Sequence, residues 1–562
     1  MINPVLEAKK QAHELILSAA GRAVASGMLP AEPLPGFSVE IPADIKNGDF
    51  ASNAAMVSAK ACRMPPRKIA EAIAAEMVLD GSFFERIEIA GPGFINFFLG
   101  KDWFCEVLRS IEARGGDYGR TDFGQSKRVL VEFVSANPTG PMHIGNARGG
   151  AIGDCLASAM DWAGYQVSRE FYVNDAGNQI NKFGVSLEAR YLQLYQEGVE
   201  MPEDAYLGED ITAHAKAFSE QYGDRFVSAS PEERRKALVD FALPLNIAGL
   251  ERDLKKYRIV YDNWFRESTL HQSGEVDKII ALFKEKGCTY ESEGALWFKA
   301  TDFGADQDFV LVRSNGVPTY VVPDIAYHYN KLAGRGFDKA IDVLGADHHG
   351  YIPRLKAALQ ALDIDPSRLD ALLMQMVRLV RDGEVIKASK RSGKAITLVT
   401  LLEEVPIDAA RFFFNLREAN SHFDFDLDLA VEESSSNPVF YVQYAHARIC
   451  SILRNLNAEG ICPKAASECR MELLCASEER ALIRHLASLP NEITEAAKNY
   501  DPARLTRYAI ELATCFHKLY NACRVKCGEE ELMYARLALC LAARTVLANV
   551  LTLLKINAPE SM

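Results

Sequence analysis

The residues whose types and spacing best suit chemistry lie in one stretch, Val131 to Asn146. Val131-Glu132-Phe133-Val134 is a short apolar run containing β-formers and reads as a strand. Pro138, Gly140 and Pro141 then forbid regular structure. From His143 the period changes: Ile152, Leu156, Met160 and Ala163 recur at helical spacing, and Gly164 sits where a helix ends. A strand, a tight loop and a helix present backbone N–H groups and the positive end of the helix dipole to an anion. His143, at the helix entrance, can add a proton or a hydrogen bond to phosphate oxygens. Gly145 lets a nucleotide lie close to the backbone. Asn146 can donate a hydrogen bond there but cannot carry charge.

A second stretch, Lys387-Ala388-Ser389-Lys390-Arg391-Ser392-Gly393-Lys394, follows about 240 residues later. Taken alone, a lysine-rich loop is a solvated basic turn. Its position after several βα units and just before a helical region favours a chemical role. Lysines on a flexible loop can close over a triphosphate and neutralise charge during displacement at phosphorus.

Both loops need a sheet behind them. Strand character recurs at Val167–Val173, Phe309–Val312, Thr319–Val322, Ala340–Leu344 and Leu372–Val380, with helical stripes between. That alternation predicts an α/β, Rossmann-like parallel sheet with ligand loops at the strand ends. Residues 120–405 form this unit, with a helix-rich, charged insertion at about 195–300. Residues 1–115 read as a separate α+β domain, joined by a linker from Gly115 to Lys127. Thr400 and Glu403 fit a capping box, and 406–562 reads as an all-α domain with its clearest stripe at Leu505, Tyr508, Leu512, Phe516 and Leu519.

At 562 residues the chain is too long for one core. Its net charge of −13 argues against coating nucleic acid through bulk charge but leaves room for a local basic surface. Arg544 and Asn549 interrupt the apolar run Leu537–Leu554, which predicts a buried helix rather than a membrane span. The 12 cysteines include no CxxC pair, so no structural zinc is expected and free thiols in a reducing cytosol are. Phe94 and Asn96 follow a Gly-Pro-Gly turn and could stack on and hydrogen-bond an unpaired base; ordinary core is the competing assignment.

His143-Ile144-Gly145-Asn146 resembles the HIGH signature of class I aminoacyl-tRNA synthetases, with Asn146 in place of the second histidine. Lys387-Ala388-Ser389-Lys390 resembles their KMSKS loop, with Ala388 for the usual Met and Arg391 for the final Ser. Within the class, the chain resembles the arginyl-tRNA synthetases from end to end. Gly48 to Asn53 and Gly91 to Asn96 look like that family's N-terminal additional domain, Asn437 to Arg448 like its anticodon-binding helices, and Ala558 to Met562 like its C-terminus.

The resemblance implies ATP with Mg²⁺, L-arginine and tRNA(Arg) as reactants and partners. It implies a cytoplasmic monomer with no membrane partner and no covalent nucleophile. His143, Asn146, Lys387 and Lys390 become catalytic, with Gly145 and Ser389 joining His143, Asn146 and Lys390 at ATP. Glu132, Asn137, Tyr320 and Asp324 match the family's arginine-binding residues, and His348 falls where many members carry glutamine. Phe94, Asn96, Tyr441, Tyr444 and Arg448 are the implied tRNA contacts. The rivals are a sister synthetase, a small-molecule nucleotidylyltransferase and a catalytically silent tRNA-binding paralogue. The helical C-terminal part opposes the second, and the retained His143, Lys387 and Lys390 oppose the third.

Overall fold

The structure is a computed structural model that describes residues 3–386 and 396–562. Asn3 starts helix α1 (Pro4–Ala25) by accepting the N–H groups of Val5 and Leu6 at 3.1 and 3.2 Å. Four short strands follow: β1 (Val39–Glu40), β2 (Phe50–Ser52), β3 (Phe84–Ala90) and β4 (Phe94–Leu99). They form an antiparallel sheet of order β1-β2-β4-β3. Helices α2 (Ala54–Cys62) and α3 (Pro66–Ala75) fall within this unit, and α4 (Lys101–Arg114) leaves it. The expected linker is not loose, because Tyr118 is fully buried and donates its hydroxyl to Leu486 O at 3.2 Å.

The central unit begins with β5 (Arg128–Glu132), α5 (Ile144–Trp162), β6 (Gln166–Val173) and α6 (Gly177–Leu192). Helices α7 (Glu209–Tyr222) and α8 (Pro231–Lys256) pack with α6 around Phe218. The chain then returns to the main sheet as β7 (Asn263–Arg266), which pairs parallel with β6. The stretch 195–300 is therefore not one insertion. The signal at Trp264 and Phe265 is short and flanked by charge, which hid the strand.

Next come α9 (Glu267–Gln272), α10 (Glu275–Glu285) and a separate antiparallel sheet of β8 (Thr289–Ser292), β9 (Ala295–Phe298) and β10 (Phe309–Val312). Thr319–Val322, expected as a strand, instead leads into helix α11 (Val321–Tyr329), since Pro323 suits a first helical turn, where its missing N–H costs nothing. Strand β11 (Lys339–Gly345), helix α12 (Ile352–Ala361) and strand β12 (Leu369–Met374) complete a five-stranded parallel sheet of order β12-β11-β5-β6-β7. Winding proceeds one way from β5 and the other way through β11. The gap between those two strands is thus a topological switch point, where such sheets bind ligands.

Strands β13 (Val377–Arg381) and β14 (Glu384–Val385) precede α13 (Leu398–Glu404) and α14 (Ile407–Phe414). The capping box forms at Thr397 and Thr400, one turn before the expected pair. The C-terminal part is not wholly helical, because β15 (Phe423–Asp426) joins β13 in parallel. Phe423 and Phe425 are buried and alternate with Asp424 and Asp426, a strand period of two. After α15 (Leu427–Val431) come the long helices α16 (Pro438–Ala458), α17 (Ser477–Asn499), α18 (Ala503–Ala522) and α19 (Glu530–Leu553). The stripe from Leu505 to Leu519 is buried along α18. By length and composition α19 could cross a membrane, but 67% of its apolar window is buried within the protein. Its Asn549 donates to Gly115 O and Tyr118 O at 2.9 and 3.0 Å.

Candidate active site

At the switch point the chain leaves β5 under strain. Val134 and Ser135 both adopt positive φ, +69° and +41°, a costly region for a β-branched residue. Ser135 secures the bend by donating its hydroxyl to Glu132 Oε1 at 2.8 Å and accepting the Tyr172 N–H at 3.1 Å. The loop ends at His143, the N-cap of α5. Its Nδ1 accepts the Gly145 N–H at 3.2 Å, while Asn146 Oδ1 accepts the His143 N–H at 3.1 Å. Burial lowers the His143 pKa. The neutral ring, with Nδ1 already accepting, carries its proton on Nε2 and offers a hydrogen bond rather than a charge. Leu398 N–H donates to Met142 O at 2.8 Å, and Thr397 bridges His143, so the segment after residue 395 docks on this loop.

The loop opens onto a cavity of about 980 Å³. One part of its wall is acidic. Lys331, fully buried, donates to Glu132 Oε2 at 2.5 Å and Asp342 Oδ1 at 2.9 Å. Burial opposes charge on Lys331, but Asp342 and Glu132 outweigh it and hold the ammonium above its usual pKa. Burial also opposes the Asp342 carboxylate, which Lys331 and His328 nevertheless hold far below the ordinary range. Burial raises the Glu132 pKa, with Lys331 pulling the other way. Asp324 Oδ2 accepts the Tyr351 hydroxyl at 2.6 Å. Glu267, mostly buried, has its pKa raised by burial; Tyr172 hydrogen-bonds it and opposes the rise, while Asp324 adds to it. Asp324 lines the cavity, and Glu267 stands behind it, outside the lining residues; the two carboxylates repel each other at the heads of helices α11 and α9, an arrangement suited to a planar cation.

Of the residues singled out by sequence, Glu132, His143, Gly145, Asn146, Asp324 and His348 line this one cavity. Asn137 is exposed on the loop, and Tyr320 is 64% exposed at the head of α11; neither is among the lining residues. Lys387, Ser389 and Lys390 lie outside the described residues, but the residues flanking that stretch, Ile386 and Ile396, both line the cavity. Sequence reasoning missed Glu267, Lys331 and Tyr172. Glu267 directly follows β7, at the end of a parallel sheet where ligands bind, so the signal that would have found it was lost with that strand.

Three family models together cover nearly the whole chain. Residues 11–99 match the arginyl tRNA synthetase N terminal domain, 108–449 the class I (R) tRNA synthetase catalytic domain, and 442–562 the DALR anticodon binding domain. The chain belongs to the arginyl-tRNA synthetases. Relatives named arginine–tRNA ligase agree from end to end. The one from Caldanaerobacter subterraneus subsp. tengcongensis is 56% identical over 562 residues and that from Acetivibrio thermocellus 52% over 564, each covering all of both chains. The solved Thermus thermophilus arginyl-tRNA synthetase has the same fold, with a TM-score of 0.74 at 24% identity, covering 99% of this chain and 100% of that one.

Two further surfaces of this synthetase hold the remaining sequence candidates. Phe94, 38% exposed, and Asn96, buried, line a cavity of about 660 Å³ in the N-terminal unit, with Asn47 and Asn53. Gly93, before Phe94, has φ +140° and lies so close to Pro66 that a Cβ would sit 2.9 Å from its carbonyl. On α16, Arg448 donates to the Tyr444 hydroxyl at 2.7 Å and lies over the Tyr444 and Tyr520 rings at 4.5 and 4.7 Å. Tyr441 packs against His517, ring centroids 4.9 Å apart. The N-terminal unit meets the helical part where Arg484 of α17 pairs with Asp49.

Proposed function

We propose that this chain ligates L-arginine to tRNA(Arg) in the two steps of its family and uses the 980 Å³ cavity for both. In the first, an oxygen of the arginine carboxylate attacks the α-phosphorus of ATP and pyrophosphate leaves. In the second, the terminal ribose hydroxyl of the tRNA attacks the adenylate carbonyl and AMP leaves. The observation that carries this reading is the cavity's two chemistries: buried carboxylates at one part of the wall, a histidine-capped helix N-terminus at another.

Asp324 and Glu267 receive the guanidinium, whose planar fork matches two carboxylates. Glu132 and Asn137 serve the α-amino side, and Tyr320 and His348 close over the substrate. The His143 Nε2–H, the Asn146 amide and the first N–H groups of α5 face the phosphates; Lys387, Ser389 and Lys390 complete that end. Gly145 allows the approach, since a Cβ there would stand 3.1 Å from His143 Cε1. Mg²⁺ favours phosphate oxygens plus one or two carboxylates; Asp347, on the cavity wall, would hold such an ion, which would screen the phosphate charge. Among the described residues no cluster of three His, Cys, Asp or Glu side chains forms a metal cage.

Phe94 and Asn96 hold one unpaired tRNA base, and Tyr441, Tyr444 and Arg448 hold the anticodon end. The enzyme works as a cytoplasmic monomer. Incubation with labelled arginine, ATP and tRNA(Arg) tests the assignment. Arginyl-tRNA ester, AMP and pyrophosphate are expected; ADP and phosphate, or charging by another amino acid, would overturn it.

A further inference from the structure

Lys331 is fully buried and lies outside every role assigned above. It sits in a π turn, Asn330–Gly334, that continues α11. Such turns are rare and occur frequently at functional sites. From there its Nζ joins Glu132 at the end of β5 to Asp342 in β11, across the switch point of the sheet, and lies 4.0 Å from the Tyr327 ring centroid. Asp342 Oδ2 continues to His328 Nε2 at 2.7 Å, and His328 Nδ1 meets the Asp324 carbonyl at 2.7 Å. In the other direction Glu132 Oε1 accepts from Ser135, in the strained loop that leads to His143. One run of hydrogen bonds therefore joins the loop after β5 to the first turn of α11.

We propose that Lys331 is a positioning residue of the arginine site. It fixes Glu132 and, through Asp342 and His328, the turn bearing Asp324, and by occupying Glu132 it directs the substrate guanidinium to Asp324 and Glu267. The proposal rests on the reading of the cavity as the site of arginine activation. Without the ammonium, Glu132 and Asp342 are buried like charges on neighbouring strands, so one must take up a proton or move. A displaced or freed Glu132 then competes for the guanidinium, and the Asp324 turn loses its tether.

ATP–pyrophosphate exchange by the full-length protein, with tRNA(Arg) present, tests this when arginine and ATP are varied separately. Lys331→Met keeps an unbranched side chain one atom shorter and removes its charge. It should raise the arginine KM about ten- to hundred-fold and leave the ATP KM within about two-fold. Asp342→Asn, nearly isosteric, should give the same pattern to a smaller extent, and it decides the matter if a thermal melt shows Lys331→Met unfolded. Three results overturn the proposal: a parental arginine KM in the folded variant, an equal rise in both KM values, or a lower rate with both KM values unchanged. The last is what a smaller population of intact molecules produces. Exchange by the parent protein that does not depend on arginine would instead overturn the reading of the cavity.

Discussion

On the proposed reading, the two ends of the large cavity solve opposite problems. At the arginine end, Glu132, Lys331, Asp342 and His328 are all buried and bonded to one another before substrate arrives. At the nucleotide end the fixed elements are backbone N–H groups, a neutral histidine and a capping amide. Recognising a cation requires buried carboxylates, and these need internal partners to remain charged. Recognising an anion requires only a helix start, with lysines added as the reaction proceeds. The first end is therefore assembled in advance, and the second is completed by its ligand.

Substitutions should separate the ends. If Lys390 acts as proposed, Lys390→Ala removes a charge that serves the transition state, and arginine activation should fall by roughly 10²–10³ in a pre-steady-state assay, with arginine affinity little changed. An unchanged rate would remove Lys390 from the chemistry. Asp324→Asn leaves the guanidinium short of a charge partner and should weaken arginine binding by about two orders of magnitude, read by calorimetry, while ATP binds normally. If ATP affinity fell equally, the division into two ends would fail.

The N-terminal cavity extends the contrast, since stacking rather than charge should hold a base there. Phe94→Ala should weaken tRNA filter binding by roughly 5- to 150-fold, with the thermal transition close to normal. A core role would reverse this, lowering the melting temperature and sparing tRNA affinity; the 38% exposure of Phe94 speaks for the first outcome. The smallest effect on stability belongs to Asn146→Ala, which also removes the amide proposed to face the phosphates. Losing the bond that accepts the His143 N–H should cost about 1 kcal/mol of stability in a denaturant titration and leave the arginine KM alone.

Much of this was legible in the sequence because local rules and the fold agree. Pro138, Gly140 and Pro141 force the loop, and the apolar spacing from Ile152 onward forces α5. The stripe on α18 is equally plain. What escaped was long-range. Strand β7 is four residues long and takes its meaning only from pairing with β6. Lys331 looks like any helix-end lysine until the sheet order brings β5 and β11 together and places it between Glu132 and Asp342. Glu267 becomes a site residue only through its closeness to Asp324, 57 positions away. Periodicity reports which face is buried; it does not report which charges meet.

On this reading the buried carboxylates select a guanidinium for activation by ATP. Amino-acid-dependent ATP–pyrophosphate exchange, run with tRNA(Arg) present and across all standard amino acids plus citrulline, tests it most directly. Citrulline has the shape of arginine without the charge. Exchange is expected with arginine, and none above background with lysine or citrulline. Exchange with citrulline near the arginine rate, or with a different amino acid in preference to arginine, would contradict it.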